Sequence, residues 1–188
     1  HSSGVEIKLG AGKTIVFDGN KTDGFTAPYG NYDHLEYMSN TAEYVLVKSD
    51  MTRYGFKKIN TSDNGYTLVW IEDKHKNRVN IAGEYVNSAY RITQVSDNAG
   101  RSLTFDYSTA NSITVTDNVG RVVQYLLDST TKSLDQVINV YGKNTKYTYY
   151  TEEEDQSSDG KNVKKLKEIQ IQLPDETTGV EEFKTIQR

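Results

Sequence analysis

His34 and His75 stand 41 residues apart in a chain without cysteine. A metal site built on them would draw its other ligands from carboxylates elsewhere, since no thiolate is available. No spacing encodes such a set, so ordinary surface or turn histidines are expected. Ser, His and Asp likewise occur with nothing to assemble them into a nucleophilic triad. Asp155, Ser157, Asp159 and Gly160 match positions one, three, five and six of a calcium loop. Position twelve, which requires a bidentate carboxylate, is Leu166, and a solvated hairpin loop is the expected structure. No catalytic, cofactor or metal residue is expected.

The aromatic residues offer a different chemistry. Tyr29, Tyr32 and Tyr37 lie in or beside a loop rich in Gly, Asn and Asp, and together with Trp70 they are candidate contacts for glycan, whose apolar faces dock on aromatic rings. Arg101, Arg121 and Lys143 each follow a glycine, at a recurring position. Pairing with the nearby Asp97, Asp117 or Glu side chains gives them a structural role first.

That recurrence belongs to a repeat. "DNAGRSLTFDY" at 97–107 returns as "DNVGRVVQYLL" at 117–127 and more loosely as "NVYGKNTKYTY" at 139–149, and "DKHKNRVNI" at 73–81 is a decayed copy before them. The anchors Asp73, Asp97, Asp117 and Asn139 step by 24, 20 and 22 residues, which predicts a repeat architecture. Asp-Asn-x-Gly is hairpin-loop chemistry: Asp or Asn side chains bond nearby backbone, and Gly100, Gly120 and Gly142 supply positive φ. Three, five and seven residues after these glycines come Leu103, Phe105 and Tyr107; Val123, Tyr125 and Leu127; and Thr145, Tyr147 and Tyr149. Period two puts these on one face, expected to point inward, with Ser102, Thr104 and Asp106 on the other. One repeat is then a strand-turn-strand unit of roughly 20 residues, stable only when stacked on its neighbours.

The elements that carry the repeat read as strands throughout. In "VEIKL" the apolar Val5, Ile7 and Leu9 alternate with charge, and "KTIVFDG", "YDHLEYM", "EYVLVKSD" and "TRYGFKKI" follow between glycine turns. Fourteen glycines, fourteen tyrosines and two prolines, with a mean hydropathy of -0.70, favour an all-β chain. The predicted fold is a run of consecutive antiparallel β-hairpins forming a curved, spiralling sheet. Its expected parts are residues 1–4, which resemble the tail of a polyhistidine tag; a hairpin region over 5–65; degenerate repeats over 66–150; and over 151–188 an acidic loop followed by a further hairpin. The chain is expected to continue beyond "FKTIQR", leaving an unpaired edge near residues 166–188. A net charge of -4, without a basic stripe, argues against nucleic acid as a partner. No apolar run reaches the roughly 18 residues of a membrane span.

Gly120-Arg121 with Tyr125, Leu127 and Asp128, Gly100-Arg101 with Phe105 and Tyr107, and Gly142-Lys143 with Tyr147 and Tyr149 together resemble the G-R-x-x-x-Y-x-Y-D pattern of the RHS/YD-repeat family. The likeness extends over nearly the whole chain after residue 4. Leu127, Ser108 and Tyr150 depart from the pattern, and Lys76 stands where the first copy should carry Gly; such departures argue against chemistry at these positions. The resemblance implies a section, near the start of the repeat array, of the hollow β-shell of a large exported bacterial protein. Its implied partners are further repeats of the same parent chain and an enclosed or presented C-terminal toxin. A secreted or cell-wall-associated location in a Gram-positive bacterium is implied, with cell-wall glycan or a receptor as the alternative target.

Overall fold

The computed structural model describes residues 4–9, 12–60, 65–87, 89–150, 165–173 and 182–187. Among the described residues the regular elements are β-strands, paired antiparallel. The chain divides into two compact units, residues 1–102 and 103–188.

The first unit opens with a three-stranded sheet of β1 (Gly4–Lys8), β2 (Thr14–Asn20) and β3 (Gly24–Thr26), in that order. Gly4, grouped by sequence with the tag-like residues, is the first residue of β1 and pairs with Asp18. Val5 opposes Phe17 and Ile7 opposes Ile15, so the alternation of "VEIKL" gathers four apolar side chains on one face. A meander follows: β4 (His34–Met38), β5 (Glu43–Val47), β6 (Arg53–Lys57), β7 (Thr67–Glu72), β8 (Arg78–Val86) and β9 (Ala89–Asp97), each hydrogen-bonded to the next. Leu35 opposes Leu46, and Tyr44 opposes Phe56. These side chains meet the small sheet in a core of Ile7, Ile15, Phe17, Leu35, Tyr44 and Leu46. Phe17 and Leu46 are fully buried; each such side chain is worth about 2–3 kcal/mol of transfer free energy.

The second unit begins in β10 (Ser102–Asp106) and continues as β11 (Ser112–Asp117), β12 (Val122–Leu127), β13 (Leu134–Ile138), β14 (Asn144–Tyr149), β15 (Leu166–Leu173) and β16 (Glu182–Gln187), again paired in chain order. The register sorts its two faces. Phe105 opposes Val115, which opposes Val123; Tyr125 lies between Ile113 and Val137; Tyr147 opposes Ile169. The other face carries Thr104, Thr114, Thr116, Gln124 and Gln136, with Val122, Leu126 and Ile138 among them. The period-two alternation therefore holds, but the expected inward burial does not. Among the described residues of this unit no hydrophobic side chain is buried, and Leu103 and Tyr125 are exposed. Alternation decides which residues share a face; burial needs a second layer, and here none of the described residues supplies one.

The change of sheet falls between Thr26 and His34, and the division into compact units falls at 102/103. The acidic stretch 151–162 and the calcium-like Asp155 to Gly160 lie outside the described residues.

Candidate functional site

The anchors Asp73, Asp97, Asp117 and Asn139 open five-residue hairpin turns of one geometry. In each, the first amide donates to the fifth carbonyl, at 3.0, 3.0, 3.1 and 2.9 Å, and the fourth amide donates back to the first carbonyl. The anchor Oδ1 accepts the amides of the third and fifth residues: Ala99 and Arg101 at 3.0 and 2.9 Å for Asp97, Val119 and Arg121 at 3.0 and 2.9 Å for Asp117, and Tyr141 and Lys143 at 2.9 and 3.0 Å for Asn139. Asp73 does the same for His75 and Asn77. The fourth residue is left-handed in every copy, at φ 83° in Gly100, 86° in Gly120, 73° in Gly142 and 69° in Lys76. This is a type I turn closed by a bulge, in which one acidic or amide side chain satisfies backbone donors that the ladder leaves free.

Arg101 and Arg121 complete the turn from outside. Each donates its Nε to the anchor's second carboxylate oxygen at 2.6 Å. The Arg101 amide, with its side chain, holds the Asp97 carboxyl below the usual aspartate range. For Asp117, burial pushes the other way and is outweighed by the amide and guanidinium of Arg121. In the fourth copy the anchor is the neutral Asn139, so Lys143 has no anchor carboxylate to form an ion pair with. The turn residues thus bind their own hairpins. In the first unit, Asn98 also donates its side-chain amide to the Lys76 carbonyl at 2.9 Å, tying one turn to the preceding copy.

A further copy was not legible in the sequence. Lys48 donates its amide to the Thr52 carbonyl at 2.8 Å, Met51 donates to the Lys48 carbonyl at 2.9 Å, and Met51 sits at φ 69°. With Lys at the anchor and Met at the left-handed position, only Asp50, which accepts the Thr52 amide at 2.9 Å, marks a turn.

The four candidate glycan aromatics separate. Trp70 is buried, and the expectation that it forms a sugar platform does not hold. One side of its ring rests on Gly55, where a Cβ would come within 2.0 Å of Cε2, and the Arg78 guanidinium lies 4.1 Å from its centroid. Its Nε1 donates to Glu43 Oε2 at 3.1 Å. Nearby, buried Glu72 accepts Arg78 Nε at 2.9 Å, Lys76 Nζ at 3.3 Å and Arg53 Nη1 at 3.5 Å. Burial pushes the Glu72 carboxyl up, and the hydrogen bonds from Arg78 and Lys76 outweigh it and hold it low. This cluster is a charge-paired second core. Tyr37 is also occupied: Lys21 Nζ lies 4.1 Å above its ring, and the Tyr44 ring is 5.0 Å away.

Tyr29 and Tyr32 are bare, at 108% and 88% relative exposure. Their loop is built to a fixed shape. Asn31 donates its amide to the Pro28 carbonyl at 3.0 Å, and Gly30 has φ 77°, the geometry of a type II turn. Asn31 Oδ1 accepts the Asp33 amide at 2.7 Å. The buried Asp33 carboxylate accepts Lys48 Nζ at 2.5 Å and the Ser49 amide at 3.3 Å, bolting the loop to the 48–52 turn.

His34 lies in β4 and His75 in the 73–77 turn, both exposed. Among the described residues no group of three or more His, Cys, Asp or Glu is placed to hold a metal ion, and no helix is long and apolar enough to cross a membrane.

No protein-family model and no curated protein matches the chain. Among solved structures it is similar to a porin-like protein from Bacteroides uniformis, at 13% identity and a TM-score of 0.48, over 97% of this chain and 86% of that one. At that distance the likeness carries no functional reading.

Proposed function

We propose that this chain is a non-catalytic structural section of a β-shell: a stretch of wall, near the start of an RHS/YD-type repeat array, in a large exported or wall-associated bacterial protein that encloses or presents a C-terminal toxin. The observation that carries the reading is the recurrence of one turn at Asp73, Asp97, Asp117 and Asn139, in each of which the anchor's side-chain oxygen accepts the same backbone amides. A turn that consumes its own polar groups is a joint. Repeated at a spacing of about one hairpin, it extends an antiparallel sheet strand by strand, and accumulated strand twist would curl such a sheet into a spiral. The apolar, uncovered face of the second unit fits a wall whose inner surface meets something other than its own strands.

Limited proteolysis of the parent polypeptide tests the enclosure. The expected result is protection of a segment C-terminal to the repeats in the intact chain and its cleavage once residues 98–117, one whole repeat, are deleted. A parent that ends with these strands, or equal cleavage in both forms, would overturn the reading.

A further inference from the structure

We propose that the cleft between the 28–33 loop and β2 is a carbohydrate-binding site, with Tyr29 and Tyr32 as its stacking surfaces. The proposal is independent of the shell reading, since it rests on surface features of the first unit alone.

The cleft has a volume of about 570 Å³, and its lining includes Lys13, Val16, Pro28, Tyr29, Tyr32 and Ser49. Two properties set it apart from an incidental dip in the surface. Its aromatic rings are almost wholly presented to solvent, on a loop held by its own hydrogen bonds. Tyr29, at 108% exposure, packs against none of the described residues, whereas the backbone beneath it is fixed by the Pro28–Asn31 turn, the Asn31 side chain and the buried Asp33–Lys48 pair. Ordering the loop in advance removes an entropy cost that a ligand would otherwise meet. The free tyrosines contribute large contact area with only two side-chain torsions each.

The second property is the mixture of chemistries. Val16, at 51% exposure, and Pro28 continue the apolar surface of the tyrosines, while Lys13, Thr14 and Ser49 bring exposed hydrogen-bonding groups to the same opening. A sugar ring presents this combination in complement: axial C–H bonds on a face that stacks on an aromatic ring, and hydroxyls around its equator that donate and accept. An apolar peptide would leave Lys13 and Ser49 without partners, at a desolvation cost. Nucleic acid would require several cations, and the cleft offers Lys13 together with Lys48, which is held by Asp33.

The test is an NMR titration of this chain with chitotetraose, cellotetraose, maltotetraose and tetragalacturonate, following the Tyr29 and Tyr32 ring resonances. At least one sugar is expected to shift them saturably by about 10 mM. The double substitution Tyr29→Ala with Tyr32→Ala should weaken binding roughly tenfold or more. Tyr141→Ala, which removes an 85%-exposed tyrosine in the second unit, should leave it unchanged. Amide spectra away from the loop verify that the variants are folded. Absence of saturable shifts with all four sugars would overturn the site, as would undiminished binding by the double variant, or equal loss in Tyr141→Ala. Saturation by a proline-rich peptide in place of the sugars would reassign the cleft to a protein partner.

Discussion

The two units are made of the same strands and turns but are held together differently. In residues 1–102 the small sheet covers one face of the meander, burying Phe17, Leu35 and Leu46 almost completely. The opposite face has its own buried cluster around Trp70 and Glu72. In residues 103–188 equally apolar side chains line one face, yet no described hydrophobic residue is buried. The difference shows that β-patterning and core formation are separate achievements. A meander of hairpins satisfies its backbone and pairs its side chains across strands; a hydrophobic core appears only where a second layer is laid on top.

The largest expected effects exploit that contrast. Phe17→Ala should destabilise the first unit by about 3–5 kcal/mol, and Leu46→Ala by about 2–5 kcal/mol, because each leaves a cavity in a two-layer core. Tyr125→Ala in the second unit removes cross-strand contact from a side chain already 37% exposed and should cost about 1 kcal/mol or less. Urea denaturation of the three variants measures this. Equal losses at Phe17 and Tyr125 would mean that the second unit buries its apolar face after all.

Glycines provide a sharper version. Gly55→Ala would drive a methyl group into the Trp70 indole, and should cost about 1–3 kcal/mol by overpacking. Trp70 is the sole tryptophan, so its fluorescence should red-shift if the ring is displaced toward water. At Gly120 a Cβ meets nothing within 4 Å, and only the φ of 86° opposes it. Gly120→Ala should then cost about 1–2 kcal/mol of backbone strain with no change in fluorescence. Met51 supplies the reverse experiment: it holds the same left-handed position with a side chain, at 61% exposure, and Met51→Gly should gain up to about 1 kcal/mol in thermal unfolding.

Much of this was legible in the sequence, for physical reasons that also mark where legibility stopped. Asp-Asn-x-Gly at 97 and 117 could be read because the turn's demands fall on particular side chains: an acceptor at the first position and no Cβ at the fourth. At 48–52 the same backbone is built with Lys48 and Met51, whose types announce nothing. The alternation of Leu103 with Phe105 and of Val123 with Tyr125 gave each pair a shared face, since pleating acts within a strand. Their exposure depends on a second layer, as does the burial of Trp70, whose cover comes from Gly55, Arg78 and Glu43 on three other strands. Tyr29 and Tyr32 were recognisable as loop aromatics, but the fixed shape of their loop depends on Asp33 meeting Lys48 and Ser49 from another hairpin.

The smallest effect sets the turns against one another. Asp97 and Asp117 are carboxylates held below their usual range, whereas Asn139 occupies the same position in the same geometry and does not titrate. A carboxyl whose pKa is depressed by folding binds its proton more readily in the unfolded chain, so its contribution is complete above the ordinary aspartate range. That contribution is lost as pH falls through the depressed values of the folded turns. Hydrogen exchange over this acidic window should show the Ala99, Arg101, Val119 and Arg121 amides losing protection relative to Tyr141 and Lys143, once intrinsic rates are corrected. Asp117→Asn should keep the turn, as Asn139 does, and abolish the pH response of Val119 and Arg121 while leaving that of Ala99 and Arg101. Loss of protection at all three turns in parallel would place the acid sensitivity in the sheet as a whole, and the anchors would then be interchangeable hydrogen-bond acceptors whose charge contributes nothing.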